Sequence, residues 1–166
     1  MRKKLLILLL CILSISILCA CGKTADSFKT PDEFAFETTD RDGNIYNESI
    51  FSGQKITIMN FWEPWCGPCV REMPDLQKLY ETYSDEGLNI IGVYSTPGME
   101  DDVDRVLKSA GVTFTILNYT GVFDVFQTGY VPTTILIDGD GHVTGDTVIG
   151  SQSYENWEAV ISEYLS

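Results

Sequence analysis

Trp62-Glu63-Pro64-Trp65-Cys66-Gly67-Pro68-Cys69 sets two thiols on either side of a Gly-Pro dipeptide, a spacing at which a disulfide opens and closes reversibly. Upstream, the apolar run 56–59 closed by Asn60 and Phe61 reads as a buried strand. From Pro68 onward the period turns helical, with Cys69, Val70, Met73, Leu76, Tyr80 and Tyr83 at apolar positions. Cys66 therefore stands at the mouth of a helix, where unpaired N–H groups and the positive dipole end favour a thiolate and lower the thiol pKa. It is the expected nucleophile. Cys69, one turn further in, is the expected resolving thiol, placed to attack a mixed disulfide at Cys66. Gly67 permits a tight turn, and Pro68 lacks an N–H that the first helical turn would leave unpaired.

Other uses of Cys-x-x-Cys fit less well. A structural zinc site wants four ligands, and the remainder of the chain offers His142 and the leader cysteines. Haem attachment wants His directly after the second Cys, where Val70 stands. An inert staple over so short a loop would constrain the unfolded chain little. The expectation is thiol-disulfide exchange with no metal and no cofactor.

The N-terminus bears on the compartment. Arg2, Lys3 and Lys4 precede a Leu/Ile-rich run over 5–18, then small residues, the pattern of a signal peptide rather than of a span of about 20 apolar residues. Leu18-Cys19-Ala20-Cys21 resembles a bacterial lipobox, which implies cleavage before Cys21 and diacylglyceryl attachment to its sulfur. The expected organisation is a signal peptide over 1–20, lipidated Cys21 and a tether over 21–33, and one domain over 34–166. Cys21 then anchors the protein to the lipid bilayer on the extracytoplasmic side of a bacterial cell membrane. Of the five cysteines, Cys66 and Cys69 alone remain in the folded part. In an oxidising compartment such a pair drifts to the disulfide, so a reducing role requires a membrane electron donor.

The 166 residues carry a formal charge of −13, and removal of three leader cations with no acid leaves −16. That balance makes nucleic acid and anionic membrane surfaces poor partners and keeps the domain soluble at a cell surface.

A pass along the chain places a β-hairpin at 34–37 and 45–46 around Asp40-Arg41-Asp42-Gly43-Asn44, and strands at 88–94, 112–117 and 133–137. A tight turn over Asp138-Gly139-Asp140-Gly141 leads to a strand at 142–144. Helices are expected at 99–110, at 121–127 as a short one, and after the N-cap Ser153, with Tyr154, Trp157, Ile161 and Leu165 on one face. Alternating strands and helices, then a hairpin and a helix, imply an α/β fold with a mixed central sheet.

Trp65-Cys66-Gly67-Pro68-Cys69 at a helix start, Pro74 in that helix, and Tyr130-Val131-Pro132-Thr133 before a late strand resemble the thioredoxin-like fold. The lipobox, the N-terminal hairpin, Asn60-Phe61-Trp62, Arg71-Glu72-Met73-Pro74 and Val131-Pro132-Thr133-Thr134 narrow the resemblance to the TlpA/ResA branch of membrane-anchored thiol-disulfide oxidoreductases. The resemblance implies a cis Val131-Pro132 bond beside the disulfide. It implies protein disulfide substrates lying against Trp65, Gly67, Pro68, Val131 and Pro132, and a thiol-transporting membrane donor. Substrates in such a family include apocytochrome c thiols, methionine sulfoxide reductases and peroxidases. A disulfide-forming oxidase, a peroxiredoxin-like thiol peroxidase and a non-catalytic lipoprotein with an inert disulfide stand as alternatives. The Gly-Pro dipeptide argues against the oxidase, and the missing Pro-x-x-x-Thr before Cys66 against the peroxidase.

This chain departs from thioredoxin at Asn60, where thioredoxin carries a buried acid, so the proton acceptor for Cys69 must be another group or water. Glu63, three residues before Cys66, is the candidate. Glu72 reads as dipole complement, Trp62 as core, Pro74 as a kink and His142 as a surface residue.

Overall fold

The computed structural model describes residues 35–166. The expected signal peptide, Cys21 and tether, with Phe34, lie outside the described residues. Asp40 starts the first turn: its side chain accepts from the backbone N–H of Asp42 and of Asn44, each at 2.9 Å, and from Asn44 Nδ2 at 2.8 Å. Strands β1 (Glu37–Thr39) and β2 (Ile45–Asn47) therefore pair about Thr38↔Tyr46. The first strand starts three residues later than the sequence suggested, because the Asp40 turn fixes the register. Phe36, left outside it, is buried in the core instead.

After a 3-10 helix, Glu48–Phe51, strand β3 (Ile56–Phe61) is buried at all six positions, as befits a central strand covered on both faces. It takes in Asn60 and Phe61. Helix α1 (Gly67–Tyr83) follows, buries Cys69, Met73, Leu76 and Leu79 along one face, and carries Pro74 within it. A 3-10 turn, Ser84–Glu86, ends at Gly87 with φ +104°, a backbone that glycine adopts without strain. Strand β4 (Leu88–Tyr94) has the expected bounds. Helix α2 (Glu100–Ala110) opens with three acids and carries Lys108 in its last turn, complementing its dipole.

Strand β5 (Thr115–Asn118) begins later than the expected residue 112. The Val112 N–H is used on Leu107 O, and the Thr113 N–H on Gln77 Oε1, so neither is free for the ladder. A 3-10 helix, Gly121–Phe126, precedes β6 (Thr133–Asp138). Strand β7 (Val143–Ile149) runs five residues beyond the expected 144. It is a half-exposed edge containing Gly145 and Asp146, paired to β6 across a register shift, so no apolar run announces it. Ser153 caps helix α3 (Tyr154–Leu165) by accepting from the Asn156 N–H.

The sheet order is β5-β4-β3-β6-β7, with β4 parallel to β3 and β5 parallel to β4, and with β6 antiparallel to β3 and β7 antiparallel to β6. Both βαβ crossovers step the same way across the sheet, and right-handed connections then put α1 and α2 on one face. Helix α3 joins them there, in a cluster containing Cys69, Met73, Leu76, Val103, Trp157 and Ile161. The other face is closed by Phe36, Phe51, Phe123 and Phe126, packed on Met59, Phe61, Ile91 and Ile135. This is the thioredoxin-like arrangement expected, with an antiparallel hairpin ahead of a mixed five-stranded sheet. Among the described residues no helix is long and apolar enough to cross a membrane.

Candidate active site

Strand β3 ends at Phe61, and the chain from Trp62 to Cys66 leads from the sheet into α1. Trp62 is buried against the Tyr94 ring, with the Trp62 N–H on Val93 O at 2.9 Å. Cys66 is the N-cap of α1, and its sulfur accepts from the Cys69 N–H at 3.2 Å. Cys66 and Cys69 form a disulfide. Cys69 is wholly buried, whereas Cys66 keeps 5% of its surface in contact with solvent. The two sulfurs thus differ in access as attacking and resolving thiols must: an incoming partner meets Cys66 first. A donor N–H and the helix N-terminus both favour negative charge on that sulfur.

Across from Cys66 lies the loop before β6. The Val131-Pro132 bond is cis, and Cys66 Sγ sits 3.5 Å from the Val131 carbonyl oxygen. Thr133 Oγ1 donates to Tyr130 O at 2.8 Å and contacts Thr128 Oγ1 at 2.7 Å, while the Gly150 N–H holds Pro132 O at 2.9 Å. The loop is thereby fixed from both ends. Pro132 is buried, Val131 half-buried, and Trp65 and Tyr130 are 61% and 68% exposed. Gly67 and Pro68 are exposed on the first turn of α1, with the Arg71 guanidinium 3.3 Å from where a Cβ on Gly67 would stand. Trp65, Gly67, Pro68, Val131 and Pro132, far apart in sequence, thus sit on the two segments that meet at Cys66.

Both acids that the sequence sets near the thiols are buried. Glu63 Oε1 accepts from the backbone N–H and hydroxyl of Ser95, and Oε2 from the backbone N–H and hydroxyl of Thr96. Glu72, read from the sequence as a dipole complement, is 2% exposed. Its Oε1 accepts from Gln152 N–H at 2.8 Å and Trp157 Nε1 at 2.9 Å, and its Oε2 from Asn60 Nδ2 at 3.3 Å. Asn60 Nδ2 also reaches Thr134 Oγ1 at 2.8 Å. Burial pushes the Glu72 carboxyl above the usual carboxylate value, and its three hydrogen bonds offset that in part. The (i, i+3) spacing of Cys69 and Glu72 puts both on one helical face, and what the sequence does not show is that Gln152 and Trp157 arrive to bury the carboxyl there. Asn60, standing where thioredoxin has its acid, is a donor to an acid carried by the helix instead.

His142, expected at the surface, is half-buried, with Nδ1 3.5 Å from Asp138 Oδ2.

The family model described as AhpC/TSA matches residues 22–145. The thiol-disulfide oxidoreductase ResA of Geobacillus kaustophilus is 34% identical over 142 residues, covering 84% of this chain and 75% of that protein. ResA of Bacillus subtilis strain 168 is 30% identical over 169 residues, covering 99% and 90%. Among solved structures, a thiol:disulfide interchange protein of Chlorobium tepidum superposes with a TM-score of 0.71 at 23% identity, over 83% of this chain and 98% of that one. StoA of Bacillus subtilis gives 0.64 at 23%, over 78% and 98%. At that identity the two structures speak for the fold.

Proposed function

Starting from a chain that belongs to the AhpC/TSA family and is a thiol-disulfide oxidoreductase of the ResA type, we propose that it is a membrane-anchored reductase of protein disulfides working outside the cytoplasm. The observation that carries the reading is the Cys66–Cys69 disulfide at the start of α1, its outer sulfur against the Val131 carbonyl.

In the reduced protein the Cys66 thiolate attacks one sulfur of a substrate disulfide, and the other substrate sulfur leaves as a thiolate. Cys69 then attacks Cys66 Sγ, expelling the second substrate thiol and closing the Cys66–Cys69 disulfide. Two electrons have passed to the substrate. A membrane-borne dithiol restores the pair, since the compartment implied by a leader over 1–20 supplies no reducing buffer. Substrate backbone lies along Val131 and Pro132, with Trp65, Gly67 and Pro68 forming the opposite lip. Pairing through main chain suits a reductase that accepts several partners.

Cys69 needs a proton acceptor to attack. We assign this to Glu72 rather than Glu63, because Glu72 shares the helical face of Cys69 and burial raises its carboxyl above the usual carboxylate value, which makes it the better proton acceptor. Lipidation of Cys21 holds the domain at the bilayer, and residues 21–33 give it reach. Cytochrome c maturation, or recycling of methionine sulfoxide reductases or peroxidases, supplies substrates of this chemistry.

Trapping tests the reading. Cys69→Ser should accumulate mixed disulfides with polypeptides through Cys66, releasable by dithiothreitol. Their absence, with Cys66→Ser behaving alike, would contradict it.

A further inference from the structure

Glu63 takes no part in the mechanism above, yet it is held more elaborately than any other acid near the site. It is 4% exposed, while Trp65, two residues on, is 61% exposed. The four donors to its carboxylate all come from Ser95 and Thr96, at the start of the loop after β4. Thr96 Oγ1 does double duty. It gives its single proton to Glu63 Oε2, which turns a lone pair toward Trp65 Nε1, and that indole N–H donates to it at 3.1 Å. The carboxylate therefore orients the hydroxyl that grips the indole edge. Pro64 follows Glu63 and Pro97 follows Thr96, and a following proline restricts each of them to extended backbone. The bracket is stiff at both ends.

We propose that Glu63 is a positioning residue which, through Thr96, holds the Trp65 indole as a fixed apolar ledge beside Cys66 for the polypeptide segment flanking a substrate cysteine. An aromatic ring whose polar edge is tied down presents its face at little cost in side-chain freedom. Tyr130, 68% exposed on the opposite loop, gives the segment a second aromatic wall. A small disulfide such as oxidised glutathione has no apolar flank to lay on the ledge, so the device discriminates in favour of polypeptides. The proposal rests on Cys66 being the sulfur that meets substrate.

Thr96→Val in the full chain removes the hydroxyl and keeps the backbone N–H, and Glu63→Gln tests the carboxylate. Trp62 and Trp157 are buried, so acrylamide quenching and the fast component of fluorescence anisotropy report Trp65. In Thr96→Val both should increase. With insulin as the disulfide, KM should rise about fivefold while kcat changes by less than about twofold, the loss of about 1 kcal/mol of binding at 1.4 kcal/mol per tenfold. Exchange with oxidised glutathione should keep its rate, and the pH profile of Glu63→Gln should match that of wild type. An unaltered KM and anisotropy in Thr96→Val overturn the proposal alone. A pH profile displaced in Glu63→Gln with kcat reduced also overturns it, since Glu63 would then be handling a proton. Wild type that exchanges with neither disulfide overturns the thiol-exchange reading itself.

Discussion

Replacing Glu72 by glutamine removes the negative charge and little else. The carboxylate now accepts from Gln152 N–H, Trp157 Nε1 and Asn60 Nδ2. The introduced amide keeps an oxygen for the first two. Its NH2 meets Asn60, whose own amide turns over to present Oδ1, an atom with no hydrogen-bond partner among the described residues. Charge-assisted bonds become neutral ones, a loss of about 1 kcal/mol each at most, so the fold survives. The chemical loss is larger. A positioned general base contributes about 10²–10⁴-fold, so the step in which Cys69 expels a thiol from Cys66 should slow by at least about 100-fold at neutral pH. The assay loads Cys66 as a mixed disulfide with thionitrobenzoate and follows its release across pH in a stopped-flow instrument. In wild type the rate should climb as Glu72 ionises, above the usual carboxylate range because burial raises its pKa. In Glu72→Gln that limb should vanish, leaving only the titration of Cys69. Release within about threefold of wild type, with the same profile, would refute the assignment of Glu72 as acceptor.

Trp157→Phe keeps the buried ring and removes the Nε1 donor to Glu72. It should cost about 1–3 kcal/mol in urea unfolding and push the Glu72 limb of the pH profile still higher; an unmoved limb would show that the indole does not bear on the carboxylate. Stability itself should carry the mark of Glu72. Its folded pKa lies above its ordinary 4.5, so its contribution is intact below that value and is lost as pH rises through the folded pKa. The difference in unfolding free energy between Glu72→Gln and wild type should therefore move in the variant's favour as pH rises from 4.5 through the raised folded pKa, and a difference independent of pH would contradict this. Gly92→Ala places a Cβ 2.7 Å from Ile116 Cδ1 and 3.1 Å from Trp62 Nε1. It should destabilise by about 1–3 kcal/mol through overpacking, seen as a lower melting temperature, and an unchanged one would mean that β4 and Trp62 part freely.

Most of the sheet and the thiol pair were legible because their signals are local. A central buried strand is a largely apolar run, as at 56–61 and 88–94, and the thiols, prolines and single glycine of the motif announce the turn into α1. Strand ends were misplaced where a backbone group was claimed by a distant side chain. Gln77 took the Thr113 N–H, and Asp40 held the first turn. Strand β7, an edge with polar residues among its positions, carries too weak an alternation to show its length. The two acids show the same limit. A glutamate reads as exposed until the donors that receive it are brought from 80 and 85 residues away, as Gln152 and Trp157 are for Glu72. Nothing near Glu63 in the sequence names Ser95 and Thr96 as its partners.

Direction of electron flow is the claim on which the rest depends, and the midpoint potential of the Cys66–Cys69 pair decides it. Equilibration of the protein in graded dithiothreitol redox buffers, read by tryptophan fluorescence, should give a midpoint near the about −270 mV of thioredoxin. A midpoint near about −120 mV, that of a strong oxidant, would contradict the reductase account.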